Sequence, residues 1–213
     1  MMFKFLARTT VAAIALGFAA ASHAIVIDFT DSEWASAING NSATLGDITL
    51  TSIAGNLTFN SGDRGGCVAG QASHGLACDG DGIGINNDEI TEGRSQKIIV
   101  TFASAVDILN VDVLDLFGSE RDGETALLME VDGIENSFTP PSGNDGVAGG
   151  YWSTGFTASG VTQLILFAED DGFSDYALAR LNIQAASVPE PGSLALLGLG
   201  LLGIAALRRR KFV

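Results

Sequence analysis

The sequence predicts an all-β protein: a single antiparallel β-sandwich or jelly roll of about ten strands, flanked by an N-terminal signal peptide and a C-terminal transmembrane helix. Three observations carry this prediction. Short apolar runs with period-two alternation recur between Ile25 and Ser187, the pattern of half-buried strands. Turn residues cluster between the runs, as in Asn39-Gly40-Asn41, Asp122-Gly123, Asp132-Gly133 and Asp170-Asp171-Gly172. Each end carries an apolar stretch without Asp, Glu, Lys or Arg, Thr9 to Ala24 and Ser193 to Leu207, with basic residues beside it.

Taken from the N-terminus, Met1 to Arg8 carries Lys4 and Arg8, Thr9 to Ala21 is apolar and small, and Ser22-His23-Ala24 supplies small residues at a cleavage site. That is the layout of a secretory signal peptide over 1–24, cleaved after Ala24. An uncleaved anchor is the alternative, but the apolar run is shorter than the ~20 residues a span needs. The body, 25–187, then offers strands at Ile25–Phe29, Leu45–Ile53, Leu57–Phe59, Gly82–Ile85, Lys97–Phe102 and Val106–Leu116. Further strands are expected at Thr125–Val131, Glu135–Phe138, Tyr151–Phe156, Gln163–Ala168 and Tyr176–Gln184. Asp132-Gly133 is the cleanest hairpin turn. Leu164-Ile165-Leu166-Phe167 is apolar on both faces, as a central strand is. In the final strand Ala177, Ala179, Leu181 and Ile183 share one face. One short helix is expected at Asp31 to Ile38, capped by Asp31 or Ser32. No fixed-period repeat points to a solenoid.

Charge narrows the function. The whole chain carries -14, yet the body holds 24 acids against five bases (Arg64, Arg94, Lys97, Arg121 and Arg180), a charge of -19. Such a body does not bind nucleic acid, which needs clustered Lys and Arg to neutralise phosphates, and it repels anionic lipid. The remaining bases flank the apolar ends: Lys4, Arg8, Arg208, Arg209, Arg210 and Lys211.

The last 26 residues, 188–213, read Val188-Pro189-Glu190-Pro191-Gly192, then fifteen apolar or small residues, then Arg208-Arg209-Arg210-Lys211. A helix over Ser193–Leu207 would be ~22 Å long, short for a hydrocarbon core, so it must thin the bilayer or let its arginines snorkel. The basic cluster sets its end on the cytoplasmic side, in agreement with export of the body by the signal peptide. The two prolines keep the chain extended and leave Glu190 accessible at the membrane surface. This tail resembles the PEP-CTERM sorting signal of Gram-negative bacteria, matched by Pro189, Glu190 and Pro191, the apolar segment and the basic end. The same tail is also catalogued as an ice-binding protein C-terminal domain, a historical label and no evidence of ice binding. The resemblance implies cleavage near Pro-Glu-Pro by an exosortase. It also implies export across the inner membrane, a transient anchor, and a final place at the cell surface or in an extracellular matrix of exopolysaccharide or biofilm. An ordinary single-span anchor is the alternative. A second block, Gly82-Ile83-Gly84-Ile85, Asp88-Glu89-Ile90 and Lys97 to Phe102, resembles a segment of many exported PEP-CTERM proteins. It implies a β-sandwich of the carbohydrate-binding-module kind and brings no catalytic residues.

Cys67 and Cys78 are the only cysteines, and in an exported protein an even pair bonds, so a disulfide is expected. The pair is not Cys-x-x-Cys and has Arg64 as its only basic neighbour, which argues against a redox or metal pair. Once the signal peptide is removed, His74 is the one histidine, which excludes multi-histidine metal centres within one chain. It also leaves no Ser-His-Asp triad with an elbow motif. Asp79, Asp81, Asp88 and Glu89 form an acidic loop that could supply oxygen ligands to calcium. It matches neither an EF-hand nor the glycine-rich calcium repeat, and a solvated acidic hairpin is the alternative reading. A second acidic turn is Asp170-Asp171-Gly172 with Asp175.

Rings that could stack on sugar faces are Trp34, Tyr151, Trp152, Phe173 and Tyr176, with Tyr151 and Trp152 the most suggestive beside a proline- and glycine-rich loop. Core packing of these rings is the competing reading. The functional expectation is a non-enzymatic exported surface or matrix protein, structural or binding polysaccharide weakly, with calcium as the one conceivable cofactor. Its partners would be signal peptidase and exosortase during processing. The alternative is a secreted hydrolase acting on glycan through paired carboxylates.

Overall fold

A computed structural model describes residues 23–59, 67, 74–86, 89–91, 95–117, 126–130, 133–139, 148–168 and 175–186, together with Gly198 and Gly200. All of the signal peptide but His23 and Ala24, the Pro-Glu-Pro motif and nearly all of the apolar tail therefore lie outside the described residues. Among the described residues no helix is long and apolar enough to cross a membrane, and Gly198 and Gly200 are helical.

The described part of the body is mostly antiparallel β, as expected, and its strands are joined in one hydrogen-bonded network. In chain order the strands are β1 (Ile25–Asp28), β2 (Ile38–Asn39), β3 (Ser42–Leu45), β4 (Ile48–Ile53), β5 (Leu57–Phe59) and β6 (Ile83–Ile85). They continue with β7 (Lys97–Leu114), β8 (Ala126–Glu130), β9 (Glu135–Phe138), β10 (Trp152–Ser153), β11 (Ala158–Ala168) and β12 (Ala177–Ala185). One layer runs β2-β3-β4-β7-β11-β8-β9. The other gathers β1, β12, β6, β5 and β10 around the second half of β7.

β7 belongs to both layers. Its first half pairs with β4 (Phe102 opposite Ile48) and with β11 (Ile98 opposite Leu166). Its second half pairs with β12 (Val106 opposite Ala185, Leu114 opposite Ala177). A strand that changes sheets makes the corner of a sandwich. The sequence reading of two strands, Lys97–Phe102 and Val106–Leu116, is corrected here. Ala103-Ser104-Ala105 holds no Gly, Pro, Asn or Asp, so nothing in it ends a strand, and the chain bends without breaking. The opposite correction applies at Leu45–Ile53. Leu45 pairs with Ile48 across a two-residue turn whose first residue, Gly46, takes φ +58°, a conformation open to glycine. Tyr151–Phe156 shrinks to Trp152–Ser153, while Gln163–Ala168 extends back to Ala158. The expected hairpin pairing is present, Met129 opposite Glu135 and Ala126 opposite Phe138, while Asp132 itself lies outside the described residues.

The expected helix is α1 (Ser32–Ala37), with the Asp31 side chain accepting from the Glu33 N–H at 2.9 Å. That bond satisfies one of the free donors of the first turn. α1 turns Trp34 inward, 2 % exposed and 4.8 Å from the Phe29 ring. Between the layers lies one core that includes Phe29, Leu50, Ile98, Val100, Leu164 and Leu181.

Candidate functional site

At one end of the sandwich a polar cluster sits under the Cys67–Cys78 segment. Arg180 on β12 stands directly opposite Asp112 on β7, each with an apolar residue on either side of it in its strand. The Asp112 side chain is wholly buried and forms an ion pair with the Arg180 Nε. A buried carboxylate needs such a partner, because an unpaired charge out of water is costly. Asn110 Nδ2 also donates to Asp112 and to Ser153 Oγ, and Asn110 Oδ1 accepts from the Gly155 N–H. Arg180 Nη2 donates to the Tyr151 hydroxyl at 2.9 Å, and Nη1 donates to the His74 carbonyl. One guanidinium therefore ties β7, the start of β10 and the disulfide segment together.

Tyr151 is 8 % exposed and its ring stacks on His74, with centroids 3.7 Å apart and planes 10° apart. Burial, and then the negative Asp112, push its phenol up to about 12. Tyr176, fully buried, has its phenol raised well above the ordinary range by the same loss of water.

The expected disulfide is formed: Cys67 and Cys78 are bonded, with Cα atoms 5.1 Å apart. The acidic loop is divided among separate partners. Asp79 is exposed and accepts from the Ser32 N–H at 3.2 Å. Asp81 is buried and accepts from the Cys67 N–H. Glu89 is half-buried, and Asp88 lies outside the described residues, as do Asp170, Asp171 and Gly172. Among the described residues no three His, Cys, Asp or Glu side chains are grouped as a metal would require. The glycine beside Asp81 has a structural reason. Gly82 takes φ +102°, and a Cβ there would come within 2.5 Å of the Leu178 carbonyl oxygen.

Of the candidate sugar-stacking rings, Trp34 and Tyr176 are core residues and are removed from that role by burial. Phe173 lies outside the described residues. Trp152 on β10 is half-buried and meets Phe138 edge-on at 6.0 Å. A cleft of about 330 Å³ opens beside α1, with Asp28, Asp31 and Glu33 on its wall and Trp34 beneath. Two of those carboxylates are engaged. Asp28 accepts from the Thr30 N–H and hydroxyl and from the Ala77 N–H, and Asp31 caps α1.

Sequence reasoning missed Arg180 and Asp112. The signal was present: each is a charge between two apolar residues, Asp112 between Val111 and Val113 and Arg180 between Ala179 and Leu181, and Arg180 is one of only five bases in the body. What was lacking was the register that sets them opposite each other.

Residues 187–211 match the family model of the PEP-CTERM protein-sorting motif. The chain thus carries a signal for export and membrane-associated sorting, with processing by an exosortase. No curated protein matches the chain.

Proposed function

We propose that this exported, exosortase-processed chain is a non-catalytic component of an extracellular layer, with an acidic sandwich that associates weakly with polysaccharide. The sorting motif at 187–211 carries the reading, since it directs the body to the outside of the cell. The body's charge of -19 suits a hydrated polymer layer, where divalent cations such as calcium bridge acidic groups. Support for a non-catalytic role comes from the cleft beside α1. A glycoside hydrolase needs one carboxyl to deliver a proton and another to act as base or nucleophile. Here Asp28 and Asp31 accept backbone N–H bonds that build the turn and the helix cap. Trp152, the ring with partial exposure, is the contact we assign to sugar.

The test uses protein extracted from the surface of the producing bacterium. Intact mass should show the tail removed near Glu190. The extracted protein should be retarded on a gel containing the bacterium's own exopolysaccharide, and Trp152→Ala should reduce the retardation without changing the melting temperature by more than a few degrees. A tail still attached would overturn the sorting part. Retardation equal to that of an inert acidic protein, with calcium and with chelator, would overturn the polysaccharide part. Release of reducing sugar by purified protein would overturn the non-catalytic part.

A further inference from the structure

Strand register brings the two ends of the body to one pole of the sandwich. β1 begins at Ile25, immediately after the expected cleavage at Ala24, and Ile25 pairs with Ile183 near the end of β12. Gln184 and Ala185 pair with Asp107 and Val106, just past the bend of β7. The β3–β4 turn closes on the same bend, with the Ala103 N–H donating to the Asp47 carbonyl at 2.9 Å. So the chain enters the body and leaves it towards the sorting motif from the same end.

Apart from Asp47 and Ser104, that pole is apolar. A groove of about 290 Å³ is lined by Ile25, Ile48, Phe102, Ala103, Val106 and Ile183. Ile25 on its wall is 53 % exposed, one of the five large hydrophobic side chains that are exposed among the described residues. An apolar patch on an otherwise acidic body marks a contact surface.

Chain length says what can reach it. Ala185 and Glu190 are five residues apart, which even fully extended spans at most ~18 Å. The other end of the sandwich, where Ile53 pairs with Lys97, lies about 17 Å further away along β4. An enzyme that grips Pro189-Glu190-Pro191 at the membrane therefore has this pole beside it. The bilayer itself is a poor occupant, because a charge of -19 opposes approach to an anionic leaflet.

We propose that the Ile25–Ala185 pole is a docking face for the membrane-embedded sorting enzyme, which holds the folded body there while the tail is cut. This rests on the exosortase reading above. The test follows tail removal by pulse-chase and intact mass in the producing bacterium. Ala103→Arg, and separately Ala185→Arg, put a cation on the groove wall at sites that are exposed. Ile53→Arg puts one at the opposite end, also on an exposed side chain. Each pole variant should be processed about tenfold more slowly, the cost of a charge against an apolar contact, with melting temperature unchanged. Ile53→Arg should match the wild type. Wild-type speed in both pole variants, while the wild type is cut, would overturn docking and leave the sorting reading intact. Flotation of wild-type body with vesicles of phosphatidylethanolamine and phosphatidylglycerol would overturn it in favour of lipid. Dimerisation abolished by Ala103→Arg would overturn it in favour of a second copy. Failure of the sorting reading looks different: the wild-type tail stays on and Glu190→Ala changes nothing.

Discussion

Replacing Arg180 by methionine keeps most of the side-chain volume and removes the charge that Asp112 depends on. Arg180 donates to Asp112, to the Tyr151 hydroxyl and to the His74 carbonyl, so three acceptors on three segments lose a donor at once. The largest effect is at Asp112, wholly buried, whose charge is left with the Asn110 amide and the Tyr151 hydroxyl as side-chain donors. Breaking a buried pair from one side costs about 3–5 kcal/mol, and the surviving Asn110 and Tyr151 bonds set the expectation near the lower end, about 3 kcal/mol. For a body of this size that corresponds to a fall of roughly 6–12 °C in Tm. Thermal and urea unfolding of the processed protein, followed by circular dichroism, reads it directly. Adding Asp112→Leu to the same chain should restore part of the loss, because the unpaired charge goes with it. A loss under about 1 kcal/mol, or a double variant as unstable as the sum of the singles, would refute the reasoning: the pair would then behave like a solvent-screened surface bridge.

Other outcomes follow from the same geometry. The chain has two tyrosines, both with raised phenols, so phenolate absorbance should stay low through pH 10 and rise near pH 12 or on unfolding. The sign is that of an acid raised in the folded state: stability is complete below the ordinary value of 10.0 and is lost as pH climbs towards about 12. Tyr151→Phe should flatten part of that alkaline loss. Opening the Cys67–Cys78 bond with reductant should cost up to about 3 kcal/mol, measured as a lower urea midpoint, since it frees an eleven-residue separation in the unfolded chain. Gly82→Ala should cost at least about 2 kcal/mol, because a side chain both meets the Leu178 carbonyl and is forced into a left-handed φ; near-neutral stability would show that β6 can move aside.

Local signals were legible where they act locally. Asp31 capping α1 and the antiparallel pairing of β8 with β9 depend on neighbours in the chain, and both were readable. The bend of β7 was not, because Ala103-Ser104-Ala105 contains no residue that demands a turn and the bend is imposed by β4, β11 and β12. The rings divide the same way. An aromatic residue in a strand sequence says nothing about which face it takes, so Tyr151 against His74 and Tyr176 in the core required the packing to distinguish them from Trp152.

By itself the sequence determined that this protein is exported and sorted at a membrane. Apolar length, flanking bases and the Pro-Glu-Pro motif are one-dimensional properties, read in order along the chain, and 187–211 carries the sorting motif whatever the body does. It also determined the class of fold, since period-two patterning and turn residues repeat along the whole body. Only the tertiary structure decided which residues meet. Asp112 and Arg180 lie 68 residues apart and become partners through antiparallel register, and Ile25 and Ile183 become neighbours in the same way. Register depends on long-range pairing and on the bulges that shift it, so the polar cluster at one end and the apolar pole at the other exist only once the strands have closed around their core.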